Sequence, residues 1–296
     1  MFFCIFEGLK IEKGMKKILS SLFLALFCLV SGVMNAQTDK VVRILSIGNS
    51  FSEDAVEQHL HDIAVADGKE IIIGNMYIGG CSLQKHLTNA RENKPAYRYR
   101  KIGVDGKMTQ IKKYTLEEAL ADEAWDYVSF QQQSGKSGIY STWEESLPEL
   151  LEYVKARVPK KAKMMLHQTW AYDPTSTHKD FKNYDHDQVK MYNAIVDAVK
   201  RAAKLTGIRI VIPSGTAVQN ARTTVLKETI TRDGYHLHKP CGRYTAACTW
   251  YEKIFRKNVI GNGYLPKGMT EEQRLAAQKS AHAAVKKPNR VTVINL

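Results

Sequence analysis

A chain of 296 residues with 44% apolar content can bury one large core or two small ones, and one α/β domain is the better reading. The formal net charge of +13 would suit nucleic acid or an anionic glycan. The lysines are scattered and no arginine-rich arm occurs, so a nucleic-acid partner is excluded in favour of a solvated basic surface.

The chain opens with residues 1–14, upstream of a better-placed start at Met15. The stretch "MKKILSSLFLALFCLVSGVMNAQ" from Met15 then reads as a secretory signal peptide: a short basic start, an apolar stretch, then small and polar residues. Its apolar part is shorter than the roughly 20 residues a spanning helix needs. Cleavage is expected near Ala36, although Met34 is larger than the small residue preferred there. This divides the chain into an N-terminal extension with signal peptide, 1–36, and one domain, 37–296. The product is exported to the periplasm or the extracellular space, with no stable membrane insertion after cleavage. Cys81, Cys241 and Cys248 then lie in an oxidising compartment. At most one pair can form, no zinc-ligand spacing is present, and buried free cysteine is the simpler state.

Five apolar runs follow: "VVRILSI" from Val41, "EIIIGNMYI" from Glu70, "WDYVSF" from Trp125, "AKMMLHQ" from Ala162 and "IRIVIP" from Ile208. Between them "EDAVEQHLHDIAVAD", "SLQKHLTNAREN", "EESLPELLEYVKARV" and "QVKMYNAIVDAVKRAAKL" repeat apolar residues every three or four positions, as amphipathic helices do. Strands alternating with helices imply a parallel sheet. The expected fold is a three-layer α/β/α sandwich with a five-stranded, flavodoxin-like parallel sheet. "AYRYRKIGVDGKMTQIKKYT" from Ala96 alternates on both sides of Asp105-Gly106, a strong turn pair, and reads as a β-hairpin inserted beside that sheet.

The first strand ends in "SIGNSFSEDA", which places Ser50 at the carboxyl edge where open α/β sheets hold their sites. A serine there can equally cap the following helix, with Glu53 completing a capping box for Ser50. Far downstream, "TRDGYHLHKPCGRY" sets Asp233 and His236 three residues apart after the last strand. A hydroxyl is a poor nucleophile unless a base takes its proton, and the base works better when a carboxylate fixes its tautomer. Ser50, His236 and Asp233 can fill those roles, with His238 the competing base.

With "SIGNSFS" after the first strand and "RDGYH" near the end, the sequence resembles the SGNH/GDSL hydrolase superfamily. It is most similar to a secreted bacterial branch of unknown function that also carries a glutamine after the third strand and a "GRY" motif. The resemblance spans roughly Val41 to Phe255. It implies a serine esterase with an oxyanion hole formed by the Ser50 amide, a glycine after strand two and a side-chain amide after strand three. Gly80 in "YIGGCSL" fits the glycine, with Gly79 the alternative. "SFQQQSG" offers Gln131, or alternatively Gln133, where the superfamily usually has asparagine. Asn49 stands where many members have aspartate; it cannot orient a base as a carboxylate would, and is expected to secure the turn by hydrogen bonding.

"HQTWAYDP" places Trp170 and Tyr172 at the same edge, where aromatic faces can stack on a sugar or an acyl chain. Arg222 is a further substrate-binding candidate, and Arg243 could also hold a carboxylate. The expected activity is hydrolysis of a short acyl ester, such as acetate on a carbohydrate, through an acyl-enzyme; the alternative is a glycan-binding protein of the same fold with little or no catalysis. The expected partner is the acylated carbohydrate or another small ester. No cofactor is implied, and Asp180, Asp185, His186 and Asp187 match no metal-ligand spacing.

Overall fold

The first strand, β1 (Val42–Gly48), is buried over its last five residues and occupies the middle of the sheet. That burial on both faces is why its sequence reads as a nearly unbroken apolar run. The structure of the protein, a computed structural model, describes residues 40–296. The expected signal peptide, its cleavage point and the upstream extension lie outside the described residues.

The chain continues through α1 (Ser50–Val56), α2 (Leu60–Val65), β2 (Ile71–Tyr77), α3 (Leu83–Arg91), the hairpin β3 (Tyr97–Ile102) and β4 (Met108–Tyr114), α4 (Leu116–Asp122) and β5 (Tyr127–Phe130). Next come α5 (Ser141–Glu144), α6 (Leu147–Lys155), β6 (Lys163–His167), α7 (Gln188–Thr206), β7 (Ile210–Ile212), α8 (Ser214–Ala221), α9 (Cys241–Phe255) and α10 (Glu271–Lys286). Residues 40–296 cluster into one compact unit.

One sheet of seven strands has the order β4-β3-β2-β1-β5-β6-β7. The five strands from β2 to β7 are parallel, in the flavodoxin-like order in which the second strand lies outside the first. The expected five-stranded sheet is therefore enlarged: the hairpin does not lie beside the sheet but extends it, β3 pairing antiparallel with β2 from Ile73–Ile102 to Tyr77–Arg98. Tyr97, Tyr99 and Ile102 are buried there, while β4 is exposed along almost its whole length and carries Lys112 and Lys113. A charged edge of that kind resists pairing with another chain.

The helices form two packed groups, α1, α2, α8, α9 and α10 in one and α3 to α7 in the other, as the layers of a doubly wound sheet require. The first expected helix is broken at Glu57–His59. The break lets Glu57 reach Asn75 and Arg100, and lets His59 bond the Lys239 carbonyl and the Tyr264 hydroxyl. Cys81, Cys241 and Cys248 are buried and unpaired, and burial pushes the Cys81 thiol up to about 12. Among the described residues no helix is long and apolar enough to cross a membrane.

Candidate active site

The reversal of strand order falls between β1 and β5, so the crevice beyond their carboxyl ends receives the turn Gly48-Asn49-Ser50 and the loop from Gln131. Asn49, not a serine, caps α1: its backbone is extended and its Oδ1 accepts from the Phe51 amide at 2.9 Å. Ser52 is buried with its hydroxyl 2.7 Å from the Asn49 carbonyl and 2.8 Å from Asn75 Oδ1. Ser50 is left half-buried, with a hydroxyl that takes no part in capping.

That hydroxyl lies 2.9 Å from Nε2 of His236, whose Nδ1 lies 2.7 Å from Asp233 Oδ2. The local sequence explains the loop. Asp233 Oδ1 accepts from the His236 amide at 2.7 Å and the Tyr235 amide at 3.2 Å, folding Asp-x-x-His into a tight turn. Gly234 sits at φ +85°, a backbone conformation that disfavours side chains, and its carbonyl accepts from the Asp173 amide at 2.7 Å. Partial burial works against ionisation of Asp233, but the hydrogen bonds from the His236 ring and amide prevail and hold its carboxyl below the usual range. An ionised carboxylate on Nδ1 places the ring proton there and leaves Nε2 to accept from Ser50.

Asp54 joins the two halves, and nothing in its sequence context marks it. It is fully buried in α1; its Oδ2 accepts from the Leu237 amide at 2.7 Å, and its Oδ1 faces Arg243 Nη2 at 2.6 Å and Arg232 Nη1 at 3.2 Å. Burial raises its pKa, with the two guanidinium groups pulling the other way. The helix that begins at Ser50 thus grips the residue next to His236. The arginine of "GRY", a candidate for holding a carboxylate, holds this one.

The loop after β2 forms a turn closed by the Cys81 amide on the Ile78 carbonyl at 3.2 Å, with Gly80 at φ +61° and exposed. Asn49 Nδ2 donates to the Cys81 carbonyl at 2.9 Å and so ties this loop to the Ser50 turn. The Gly80 and Ser50 amides make no hydrogen bond with the protein among the described residues. The expected side-chain donors are placed differently. Gln131 is 1% exposed, donates from Nε2 to Asn49 Oδ1 at 2.8 Å and accepts at Oε1 from His167 Nδ1 at 2.8 Å. Its extra carbon lets the amide reach back to Asn49, so Gln131 supports the turn from beneath instead of facing a substrate. Gln133 Nε2 donates to Asp180 at 3.2 Å.

The expected substrate-binding aromatics are also corrected. Trp170 and Tyr172 are fully buried. Trp170 stacks on Phe51 at 4.3 Å and donates to the Tyr235 carbonyl at 2.7 Å, while the Tyr172 hydroxyl pairs with Ser134 at 2.8 Å. Arg222 is nearly buried against Asp173 at 2.9 Å and the Ala171 carbonyl at 3.3 Å. Strand ends attract large residues because loops fold over them, and all three pack beneath those loops. The rings at the rim are Tyr235, 4.2 Å from His236, and His178, 4.7 Å from Tyr235, both half-buried. In the "HKDFKNYDHDQ" segment His178 and Asp187 act as helix caps and Asp185 pairs with Lys190. A separate cleft of about 430 Å³, lined by Arg209, Lys253, Arg256 and Lys286, opens at the other edge of the sheet. Several of its cations lie at or beyond the carboxyl ends of α9 and α10, where they offset the helix dipoles.

The family model described as Domain of unknown function (DUF4886) matches residues 43–284. The chain belongs to the DUF4886 family. It is similar to a solved DUF4886 family protein from Bacteroides uniformis, 54% identical with a TM-score of 0.84, over 86% of this chain and 98% of that one. A candidate SGNH hydrolase from Slackia heliotrinireducens is 24% identical with a TM-score of 0.50, over 73% of this chain and 100% of that one. That likeness shows the fold alone, and at that level the resemblance read from "SIGNSFS" and "RDGYH" holds. An acetyl xylan esterase from Geobacillus stearothermophilus overlaps more distantly, at 13% identity and a TM-score of 0.46, over 76% of this chain and 97% of that one, a likeness that says nothing about chemistry. No curated protein sequence matches the chain.

Proposed function

We propose that this DUF4886 protein is a serine carboxylic ester hydrolase. The observation that carries the reading is the continuous hydrogen-bonded chain from Ser50 Oγ through His236 to Asp233 at the carboxyl edge of β1. Ser50 Oγ attacks the ester carbonyl and gives its proton to His236 Nε2, while Asp233 stabilises the imidazolium. The tetrahedral oxyanion is met by the backbone amides of Ser50 and Gly80. Collapse breaks the C–O bond, the alcohol leaves with the proton from His236, and an acyl group remains on Ser50. Water then attacks with His236 as base, releasing the acid.

The substrate we propose is a short acyl group, such as acetate, on a carbohydrate met outside the cytoplasm. Tyr235 and His178 supply the aromatic rim for a sugar ring, replacing the buried Trp170 and Tyr172 in that role. His178 Nδ1 accepts from the Asp180 amide at 3.2 Å, which leaves Nε2–H of the neutral ring to donate to a hydroxyl. Acetylated mono- and oligosaccharides and aryl acetates should be hydrolysed by the wild-type protein and not by Ser50→Ala. Equal turnover in the two proteins, or none in either, overturns the reading.

A further inference from the structure

Beneath the proposed triad runs a line of buried polar groups that the acyl transfer itself does not use. Asn49, Gln131 and His167 are each no more than 1% exposed. Asn49 Oδ1 accepts from the Phe51 amide at 2.9 Å and from Gln131 Nε2 at 2.8 Å; Asn49 Nδ2 donates to the Cys81 carbonyl at 2.9 Å; Gln131 Oε1 faces His167 Nδ1 at 2.8 Å. Gly48 makes room for it: a Cβ there would lie 2.9 Å from Cδ of Gln131 and 2.5 Å from the Ser52 hydroxyl. Buried amides and imidazoles cost free energy unless each is bonded, and a well-packed apolar trio would serve the core as well.

The direction of every bond in this line follows from two backbone groups. The Phe51 N–H can only donate and the Cys81 C=O can only accept, so the Asn49 amide has one orientation that satisfies both. Its oxygen then requires the Gln131 nitrogen, which turns the Gln131 oxygen toward His167, and that oxygen requires a proton on Nδ1. Burial holds the His167 imidazole at about 3, so the ring is neutral and carries that one proton. Its Nε2 has no hydrogen-bond partner among the described residues, and the ring lies edge-on to the indoles of Trp170 and Trp250 at centroid separations of 6.1 and 5.1 Å, Trp170 in turn stacking on Phe51.

We infer that Asn49, Gln131 and His167 form a positioning relay that holds the Ser50 turn and the Gly80 loop in register, so that their two amides converge on the same oxyanion. None of the three touches the reacting atoms. The line also gives a reason for asparagine at position 49: an aspartate would accept from Phe51 and Gln131 equally well, but would set a carboxylate oxygen against the Cys81 carbonyl and release the Gly80 loop. The kinetic consequence rests on the esterase reading; the bonding pattern does not.

Two measurements test the relay separately. In the wild-type protein, ¹⁵N NMR of His167 should show a protonated Nδ1 and a bare Nε2, unchanged from about pH 5 to about pH 9; a proton on Nε2, or titration in that range, overturns the assignment whether or not any ester is hydrolysed. For turnover, His167→Gln keeps a donor for Gln131 and loses the ring, whereas His167→Phe keeps a ring and loses the donor. The relay requires His167→Phe and Asn49→Asp to lower kcat roughly 10- to 100-fold with KM nearly unchanged, and His167→Gln to retain most of it. In Asn49→Asp the Gly80 and Cys81 amide resonances should also shift. Wild-type kcat in His167→Phe with loss in His167→Gln would show that the ring serves only packing, and unmoved Gly80 and Cys81 resonances in Asn49→Asp would remove the link to that loop. If no ester is turned over by the wild-type protein, the esterase reading fails while the tautomer and the amide shifts still decide the relay.

Discussion

Asp54 Oδ2 accepts the Leu237 amide at 2.7 Å, so the helix that starts at Ser50 and the loop that carries His236 share one buried carboxylate. The proposed nucleophile and base, separated by 186 residues in sequence, need such a clamp, because errors of about 1 Å between reacting groups cost up to roughly 100-fold in rate. Removing the carboxylate leaves the Leu237 N–H unpaired and takes from Arg243 and Arg232 the charge they share, although Arg243 keeps Gln58 and Arg232 keeps the Leu237 carbonyl. Asp54→Ala should destabilise the protein by about 3–5 kcal/mol in urea denaturation and lower turnover at temperatures where the fold persists. Unchanged stability would mean that the two guanidinium groups find solvent without cost.

The Asp233 carboxylate fixes which nitrogen of His236 faces Ser50. Asp233→Asn keeps the shape of the turn but can present an N–H where the ring proton belongs, so kcat should fall by roughly 10⁴ with little change in melting temperature. His236→Ala should lose at least as much. Near-wild-type activity in His236→Ala would move the base elsewhere, and His238, whose amide bonds the Ile230 carbonyl, is the nearest in sequence.

Two glycines at the site should respond to the same substitution for different reasons and to different degrees. Gly48→Ala would drive a Cβ to within 2.5 Å of the Ser52 hydroxyl and 2.9 Å of Gln131, and overpacking of this kind costs typically about 1–3 kcal/mol. Gly80→Ala meets nothing within 4 Å but must hold φ at +61°, a strain of about 1–2 kcal/mol that the exposed loop can relieve by moving. Thermal melting should therefore show the larger loss in Gly48→Ala, while activity should fall in both. A Gly80→Ala protein with full activity would remove its amide from the oxyanion site.

Burial holds the imidazoles of His86 and His167 at about 3, well below the ordinary value of 6.5. Their neutral forms are built into the folded protein, whereas the unfolded chain takes up protons at both. The native state binds fewer protons across the interval between the two values, so stability rises with pH there. Denaturation midpoints should be level above about pH 7 and begin to fall as the pH drops through about 6.5, continuing toward about 3. A loss that starts only near about pH 4.5 would assign acid unfolding to the carboxylates alone.

The sequence makes some of these residues legible and hides others. Ser50 stood out because a strand–turn–helix boundary is a local pattern, and Asp233 and His236 because an Asp-x-x-His turn needs only four residues to define itself. Asp54 did not: an aspartate inside "SEDAV" is indistinguishable from a solvated helix charge until Arg243 and Leu237 are brought to it. From sequence Gln131 reads as an oxyanion donor, and its actual reach back to Asn49 depends on the spacing of β1 and β5, which no local pattern shows. Asp105-Gly106 announced the hairpin, yet nothing local to β3 names β2 as its partner. Helix α9 escaped the periodicity because it is buried nearly all round and has no polar stripe, and α10 because its alanines give a weak one. Its capping box, Thr270 with Gln273, was the readable signal.

Activation of Ser50 as a nucleophile by His236 is open to a direct measurement. Incubation with a fluorophosphonate, followed by peptide mass mapping, tests it without knowledge of the natural substrate. A single phosphonyl adduct is expected on the peptide containing Ser50, abolished in Ser50→Ala and much slowed in His236→Ala. An adduct on another residue, or no adduct on a folded protein that hydrolyses esters, would contradict it.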